Sequence, residues 1–355
     1  MTLNVPIEYY AACCGRAACL WYCQPAGGAT LRIQSKKLRA ILVPSFVIAF
    51  LTTCLFLPVK PALAHNSSHQ TSLSSSNLAS LVDPFTGTGQ QADSFFHGGN
   101  TFPGADVPFG MVQWSPDTSS NNDGGYSYSD SLIHGFSLTH LSGAGCSTYG
   151  DIPFMPYVGA ISDSPASNPN LYRSRFSHSN ETASPGYYGI KLNSGVNTQL
   201  TVTQHSGLGS FTYPSGQVAM MLVESSGSAS GVSASQVNLG TDTISGSASS
   251  GGFCGASDTY TIYFWAQFSQ PFATKGTWSG STITTGSTSA SGSGSGAFVT
   301  FDTSTSTTIN VRVGISFVSV ANAQANVNQE DPSGAGGYGE RGHPDQQYSS
   351  RSQLP

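Results

Sequence analysis

Between residues 81 and 317 the chain switches repeatedly between short runs of alternating apolar residues and clusters of Gly, Pro, Ser and Asn. This confines it to strands and turns. A helix needs apolar residues three or four apart over ten or more positions, and Gly and Pro disrupt its interior. Residues 307–317 show the pattern most clearly. Ile309, Val311, Val313, Ile315 and Phe317 fall on one face, and Asn310, Arg312 and Ser316 on the other. Tyr260, Ile262, Phe264, Ala266 and Phe268 alternate with Thr261, Tyr263, Trp265 and Gln267. Both faces there carry bulky side chains, so the strand is expected to be covered on both sides. Further strands are expected at 107–114, 187–192, 199–204, 208–213, 217–224 and 297–301. Residues 276–296 are Ser/Thr/Gly-rich and read as a loose edge hairpin without function, with one short strand at 282–285. Helical period first appears at 319–329, with Ser319 as a candidate N-cap. The expected fold is all-β, a large antiparallel β-sandwich followed by a short helical segment.

Charge and targeting narrow the function. With 13 Lys+Arg against 18 Asp+Glu, the chain has no basic surface for a phosphate backbone, so nucleic acid is not expected as a partner. Its 19 Phe, 15 Tyr and 4 Trp are enough for a core and argue against wholesale disorder. Lys36, Lys37 and Arg39 precede an uncharged apolar run, and Ala62-Leu63-Ala64 follows it. That is the layout of a cleaved secretory signal, so the chain is expected to be secreted and not held in a membrane. A membrane anchor is the competing reading of the run. The first 35 residues show neither period and read as an upstream extension from a misplaced start site. Cleavage after Ala64 leaves only Cys146 and Cys254 of the 7 Cys. Outside the cell these two either pair or remain separate buried thiols. Residues 65–80 are Ser-rich and read as a linker. Beyond Glu330 the apolar pattern is lost, which is expected of a truncated or aberrant tail.

Residues 82–156 carry the densest set of special residues. Gly and Pro recur in VDPFTGTG (82–89), GGNTFPGA (98–105), VPFGM (107–111), SPDT (115–118), GGYSYSD (124–130), GFSLTHLSGAGC (135–146) and YGD (149–151). Such density fixes tight turns and lets backbone approach a ligand closely. Aromatics beside Asp, Asn and His suit a sugar, which offers an apolar face for stacking and hydroxyls for hydrogen bonds. The competing reading is a set of turn residues in a β protein. The sequence contains no HExxH, paired CxxC, EF-hand, P-loop or GxSxG motif, so no metal, nucleotide or serine-hydrolase site is expected.

The phrases TFPGADVPFGMVQWSPDT (101–118) and GFSLTHLSGAGCSTYGDIPFMP (135–156) resemble the N-terminal domain of glycoside hydrolase family 92, the secreted exo-acting α-mannosidases. The resemblance continues through SPGYY (184–188), GLG (207–209), GGFCG (251–255) and VSVANA (318–323), so it covers about residues 81–330 in order. It implies a galactose-mutarotase-like supersandwich over residues 81–318. An interdomain helix would begin at 319, leading in family members to an (α/α)6 barrel. Family members remove terminal α-mannose with inversion and depend on calcium. Inversion needs one carboxylic acid and one water-activating carboxylate. In the family both lie in the helical domain, so no catalytic residue is expected here, and calcium belongs to the full-length enzyme. Were a pair to lie in this chain, Asp106, Asp117, Asp130 and Asp151 are the nearest candidates.

The sandwich is expected to line the mannose pocket. That role carries over to Asn100, Thr101, Phe102, Gly104, Asp117, Tyr126, His140, Ser142, Gly143, Cys146 and Asp151. Many members have a Trp between the positions of Asp117 and Tyr126, and this chain has none there. The implied partners are α-mannosides or mannose-bearing glycans, and the helical catalytic domain. Two alternatives are a stand-alone carbohydrate-binding module without hydrolase activity and a structural sandwich of a surface assembly.

Overall fold

A computed structural model of the chain describes residues 78–89, 98–119 and 123–332. The expected signal segment, nearly all of the Ser-rich linker and the tail beyond residue 332 lie outside them. The described strands form two antiparallel sheets. The first contains, in spatial order, β1 (Ser115–Thr118), β2 (Leu132–Ser137), β3 (Phe154–Val158), β9 (Ala219–Val223), β16 (Ser295–Phe301), β13 (Thr274–Ser279) and β14 (Thr282–Thr285). A short β4 (Ser174–Arg175) pairs with β2. The second sheet runs β15 (Ser289–Ser291), β10 (Ala234–Leu239), β11 (Thr243–Gly251), β12 (Thr259–Phe268), β17 (Thr308–Ser316), β8 (Ser206–Thr212), β7 (Asn197–Val202), β6 (Tyr187–Lys191) and β5 (Glu181–Ser184).

Period-2 alternation decides which side chains meet between the sheets. From the first sheet, Phe136 pairs with Phe154, Phe154 with Val223, and Val223 with Ala297, all on the core face. The second sheet adds Ile309, Val311, Val313 and Ile315, together with Ile262, Phe264 and Ala266, all buried. Trp114 bridges the two, edge-on to Phe154 at 5.6 Å and to Phe211 at 6.3 Å. Its indole N–H donates to the Phe136 carbonyl at 3.0 Å, so the buried polar atom is satisfied.

The second face of β12 and β17 is covered by α1 (Val320–Glu330). Ser319 caps the helix, its hydroxyl accepting from the Asn322 amide at 3.1 Å. At the other end, the Glu330 carboxylate accepts from the His205 amide at 2.9 Å and the Ser206 hydroxyl at 3.1 Å. Burial pushes that carboxyl up, but the bonds from Thr203, His205 and Ser206 outweigh it and hold it below the usual range. Close approach of helix to sheet requires Gly314. A Cβ there would lie 2.4 Å from the Ala323 carbonyl oxygen and 2.5 Å from Val327 Cγ2. Gly314→Ala is therefore expected to destabilise the domain by about 1–3 kcal/mol through overpacking, read as a lowered urea midpoint.

Two expectations need correction. Residues 107–114 are not a strand. Pro108 lacks an N–H, Phe109 sits at φ 62°, and Gly110 donates to the Val107 carbonyl in a turn, which leaves an isolated bridge between Ala105 and Trp114. Residues 276–296 are not merely an edge hairpin. They begin within β13, which lies between β16 and β14 and buries Trp278. Among the described residues no helix is long and apolar enough to cross a membrane.

Candidate functional site

The motif block folds into a cluster of loops joined to β1, β2 and β3. Gly and Asn supply the backbone shapes that the cluster needs. Asn100 stands at φ 49° and Gly143 at φ 74°. The Gly143 amide donates to the Asn100 carbonyl at 2.9 Å, and Asn100 Nδ2 donates to the Ala144 carbonyl at 2.6 Å. Gly124 presses on the same loop, where a Cβ would lie 2.4 Å from the Asn100 carbonyl oxygen. Segments 98–102, 123–125 and 142–147 thus meet. Asp123 adds a further link, its Oδ1 accepting from the Ser147 hydroxyl at 3.0 Å.

His140 and Asp117 form the polar floor. His140 Nδ1 donates to the Gln113 carbonyl at 2.9 Å, and Nε2 faces Asp117 Oδ1 at 3.1 Å. Asp117 Oδ2 accepts from the Ser137 amide at 3.1 Å and from its hydroxyl at 2.5 Å. The Phe102 ring lies 5.0 Å from the His140 ring, tilted over it. Gly125, at φ 84°, closes over this pair, and a Cβ there would lie 2.8 Å from His140 Cδ2.

The sequence-predicted residues divide by exposure. Ser142 and Gly143 are exposed, and Asn100, Thr101, Phe102, Asp117 and Cys146 are half-buried. These can reach a ligand. Gly104, Tyr126, His140 and Asp151 are buried. Gly104 packs on Ser115, leaving no room for a Cβ. Tyr126 donates its hydroxyl to both Glu181 oxygens at 3.0 Å. Asp151 accepts from Thr139 at 2.8 Å and from Tyr260 at 3.0 and 3.1 Å. Cys146 is bonded to Cys254, with the Cα atoms 5.3 Å apart, so the two cysteines are paired and Cys146 offers no thiol. Among the described residues no three of His, Cys, Asp and Glu lie close enough together to hold a metal ion.

Sequence reading missed Glu181, Tyr188 and His178. Glu181 Oε1 accepts from Tyr188 at 2.6 Å, and its Oε2 faces His178 Nδ1 at 2.7 Å. This buried hub holds Tyr126, and with it the 124–125 turn. No local pattern announces it, because its members lie on separate strands and loops.

The chemistry of the cluster is that of a positioning surface, with backbone groups and hydroxyls arranged around a shallow polar floor. Residues 81–316 match the family model described as the glycosyl hydrolase family 92 N-terminal domain. The chain belongs to glycosyl hydrolase family 92. A family GH92 α-mannosidase from Bacteroides thetaiotaomicron is 32% identical with a TM-score of 0.64, covering 72% of this chain and 35% of that one. A GH92 inverting mannosidase from Bacteroides thetaiotaomicron VPI-5482 is 29% identical with a TM-score of 0.61, covering 70% of this chain and 33% of that one. An uncharacterized secreted glycosidase of Arthroderma benhamiae is 32% identical over 160 residues, 40% of this chain and 19% of that protein. The GH92 chain described here thus spans about a third of the solved enzymes and about a fifth of the Arthroderma protein. The match covers the sandwich, which is the N-terminal domain of the family.

Asp151 gives this GH92 domain a pH signature. Burial raises its carboxyl above the ordinary value, and the bonds from Thr139 and Tyr260 only partly oppose this. The folded state therefore holds the proton to higher pH than the unfolded chain. Stability falls as pH rises from the unfolded value, about 3.9, through the raised folded one. Asp151→Asn removes the ionisation. The stability of the variant relative to wild type is expected to rise with pH across that window and then level off. Urea unfolding at several pH values checks this, and a difference independent of pH would refute it.

Proposed function

We propose that this chain supplies the mannoside-facing sandwich of a secreted GH92 glycosidase, and that the two proton-transferring carboxylates lie outside residues 81–330. The observation that carries the reading is the convergence of residues 98–102, 123–125 and 142–147 into one half-open loop cluster within the family-matched region. Asn100, Thr101, Phe102, Asp117, Ser142 and Gly143 face the sugar in this reading. Tyr126, His140, Asp151 and the Cys146 disulfide hold those residues in place. Asp117 is engaged by Ser137 and His140, and Asp151 by Thr139 and Tyr260. Neither therefore has the freedom of a water-activating base. The calcium of the complete enzyme is assigned to the helical domain, and that domain is the partner that closes the pocket. Export follows the signal-like segment at 36–64 and the secreted description of the Arthroderma relative.

One wall of a pocket binds weakly, because the uncovered side of the ligand keeps its water. The purified chain is expected to bind methyl α-mannoside only weakly, with Kd on the order of millimolar, and to release no mannose from an aryl α-mannoside. NMR shift mapping should place the contact on residues 98–104 and 142–147. Hydrolysis by the chain alone would overturn the assignment of the carboxylates, and a contact elsewhere would overturn the pocket. The alternative of a self-sufficient carbohydrate-binding module calls for micromolar affinity in the same titration.

A further inference from the structure

The outer face of the first sheet carries a cavity that meets the sugar-facing cluster at Asp117 and Gly125 and extends away from it to Trp278. Strand register builds it. Asp117 pairs with Gly135, Met155 with Leu222, and Trp278 with Gly296. These residues and Glu224 point away from the core face defined by Phe136, Phe154 and Val223. The loop containing Tyr172 and the 226–229 turn enclose the space, a cavity of about 340 Å³. That is the small end of the range for ligand sites, roughly 300–1,000 Å³, and suits a single sugar ring.

Its chemistry is lopsided. Two carboxylates, Asp117 and Glu224, line it, and no Lys or Arg does. Burial, and after it the charge of Asp117, raises the Glu224 carboxyl above its ordinary range, with no hydrogen bond to offset either. The Trp278 ring lies flat on the sheet, because Gly296 leaves room for it. A Cβ at Gly296 would sit 2.0 Å from Cζ2. The Trp278 indole Nε1 is buried without a protein partner. Glu224 is half-buried at the cavity wall, and an enclosed indole N–H without a partner is costly unless something else satisfies it.

We propose that this cavity is a second ligand site, taking a monosaccharide-sized ligand with a protonated primary amine, in chemical class an amino sugar. The ammonium group donates to Glu224 as a charge-assisted bond and offsets its repulsion from Asp117. The apolar ring face packs on Met155, Leu222 and Trp278, and a ring hydroxyl accepts from the indole N–H. An anionic sugar meets two carboxylates and, as the one basic side chain in the lining, His134, whose Nε2 is already engaged by the Thr118 carbonyl, and is rejected. A neutral sugar leaves the Glu224 charge unpaired.

Titration of the full chain at pH 7 with glucosamine, glucose and glucuronate, followed by NMR at the Trp278 indole N–H, tests this. Trp278→Phe assigns that signal. Glucosamine is expected to bind about tenfold more tightly than glucose, equivalent to about 1.4 kcal/mol, with no shift from glucuronate. Glu224→Gln keeps the side-chain shape and is expected to bring glucosamine to within about threefold of glucose. Equal binding of glucosamine and glucose by the wild type would overturn the proposal without reliance on any variant. So would binding of glucuronate, or an amine preference that survives Glu224→Gln. The readout is independent of mannoside binding at residues 98–104 and 142–147, so either proposal can fail alone.

Discussion

Replacing Cys146 and Cys254 together by serine is expected to remove about 4–5 kcal/mol of stability. The disulfide closes a loop with a sequence separation of 108, and loop-closure entropy of that length is worth about that much. Domains of ordinary stability hold about 5–15 kcal/mol in total, so the loss is a large fraction of it. The bridge also joins two sheets. Cys146 lies in the connection from β2 to β3 of the first sheet, and Cys254 lies in the turn between β11 and β12 of the second. Cutting it frees the 142–147 segment that holds Asn100. Urea unfolding of the double variant, with reduced wild type as control, measures the effect. A loss under about 1 kcal/mol in both would show that the denatured chain is already restrained without the bond.

How much of this was legible in the sequence depends on contrast. β12 and β17 stood out because Ile, Phe and Val alternate there with polar residues over nine or ten positions. β10 and β11 did not. β11 reads TISGSASSG, and its inward residues Ile244, Gly246 and Ala248 are mostly too small to mark a face. β13 was hidden for a related reason, since Trp278 stands alone among Thr, Gly and Ser. Residues 107–114 misled in the opposite direction. Their apolar content suggested a strand, whereas Pro108, Phe109 and Gly110 make a turn.

The candidate site shows the same divide. Its turn chemistry was readable, because positive φ at Asn100, Gly125 and Gly143 demands the residues found there. The partners that hold the turns were not readable. Cys146 and Cys254 were visible as a possible pair, but spacing alone says nothing about proximity. Glu181 gave no sign at all, since Tyr126 reaches it from 55 positions earlier in the chain.

That hidden hub yields the second large effect. Glu181→Ala is expected to destabilise the domain by about 3–5 kcal/mol, comparable to breaking a buried ion pair by removing one partner. The Glu181 side chain is fully enclosed and accepts from Tyr126 and Tyr188 while facing His178. Truncation removes the acceptor of the enclosed Tyr188 hydroxyl and leaves Tyr126 the longer contact to His178 Nδ1 at 3.4 Å, and an enclosed hydroxyl that loses its acceptor costs about 1–3 kcal/mol. Glu181→Gln keeps a carbonyl acceptor in the same place and is expected to cost less than half as much. The two variants separate loss of packing and acceptors from loss of charge. Hydrogen exchange at Gly124, Gly125 and Tyr126 reads the local consequence. Protection there should fall more than in the 309–315 core of β17, because Tyr126 is the tie that Glu181 holds. Uniform loss of protection across both regions would instead make Glu181 a general element of the core, with no special hold on the 124–125 turn.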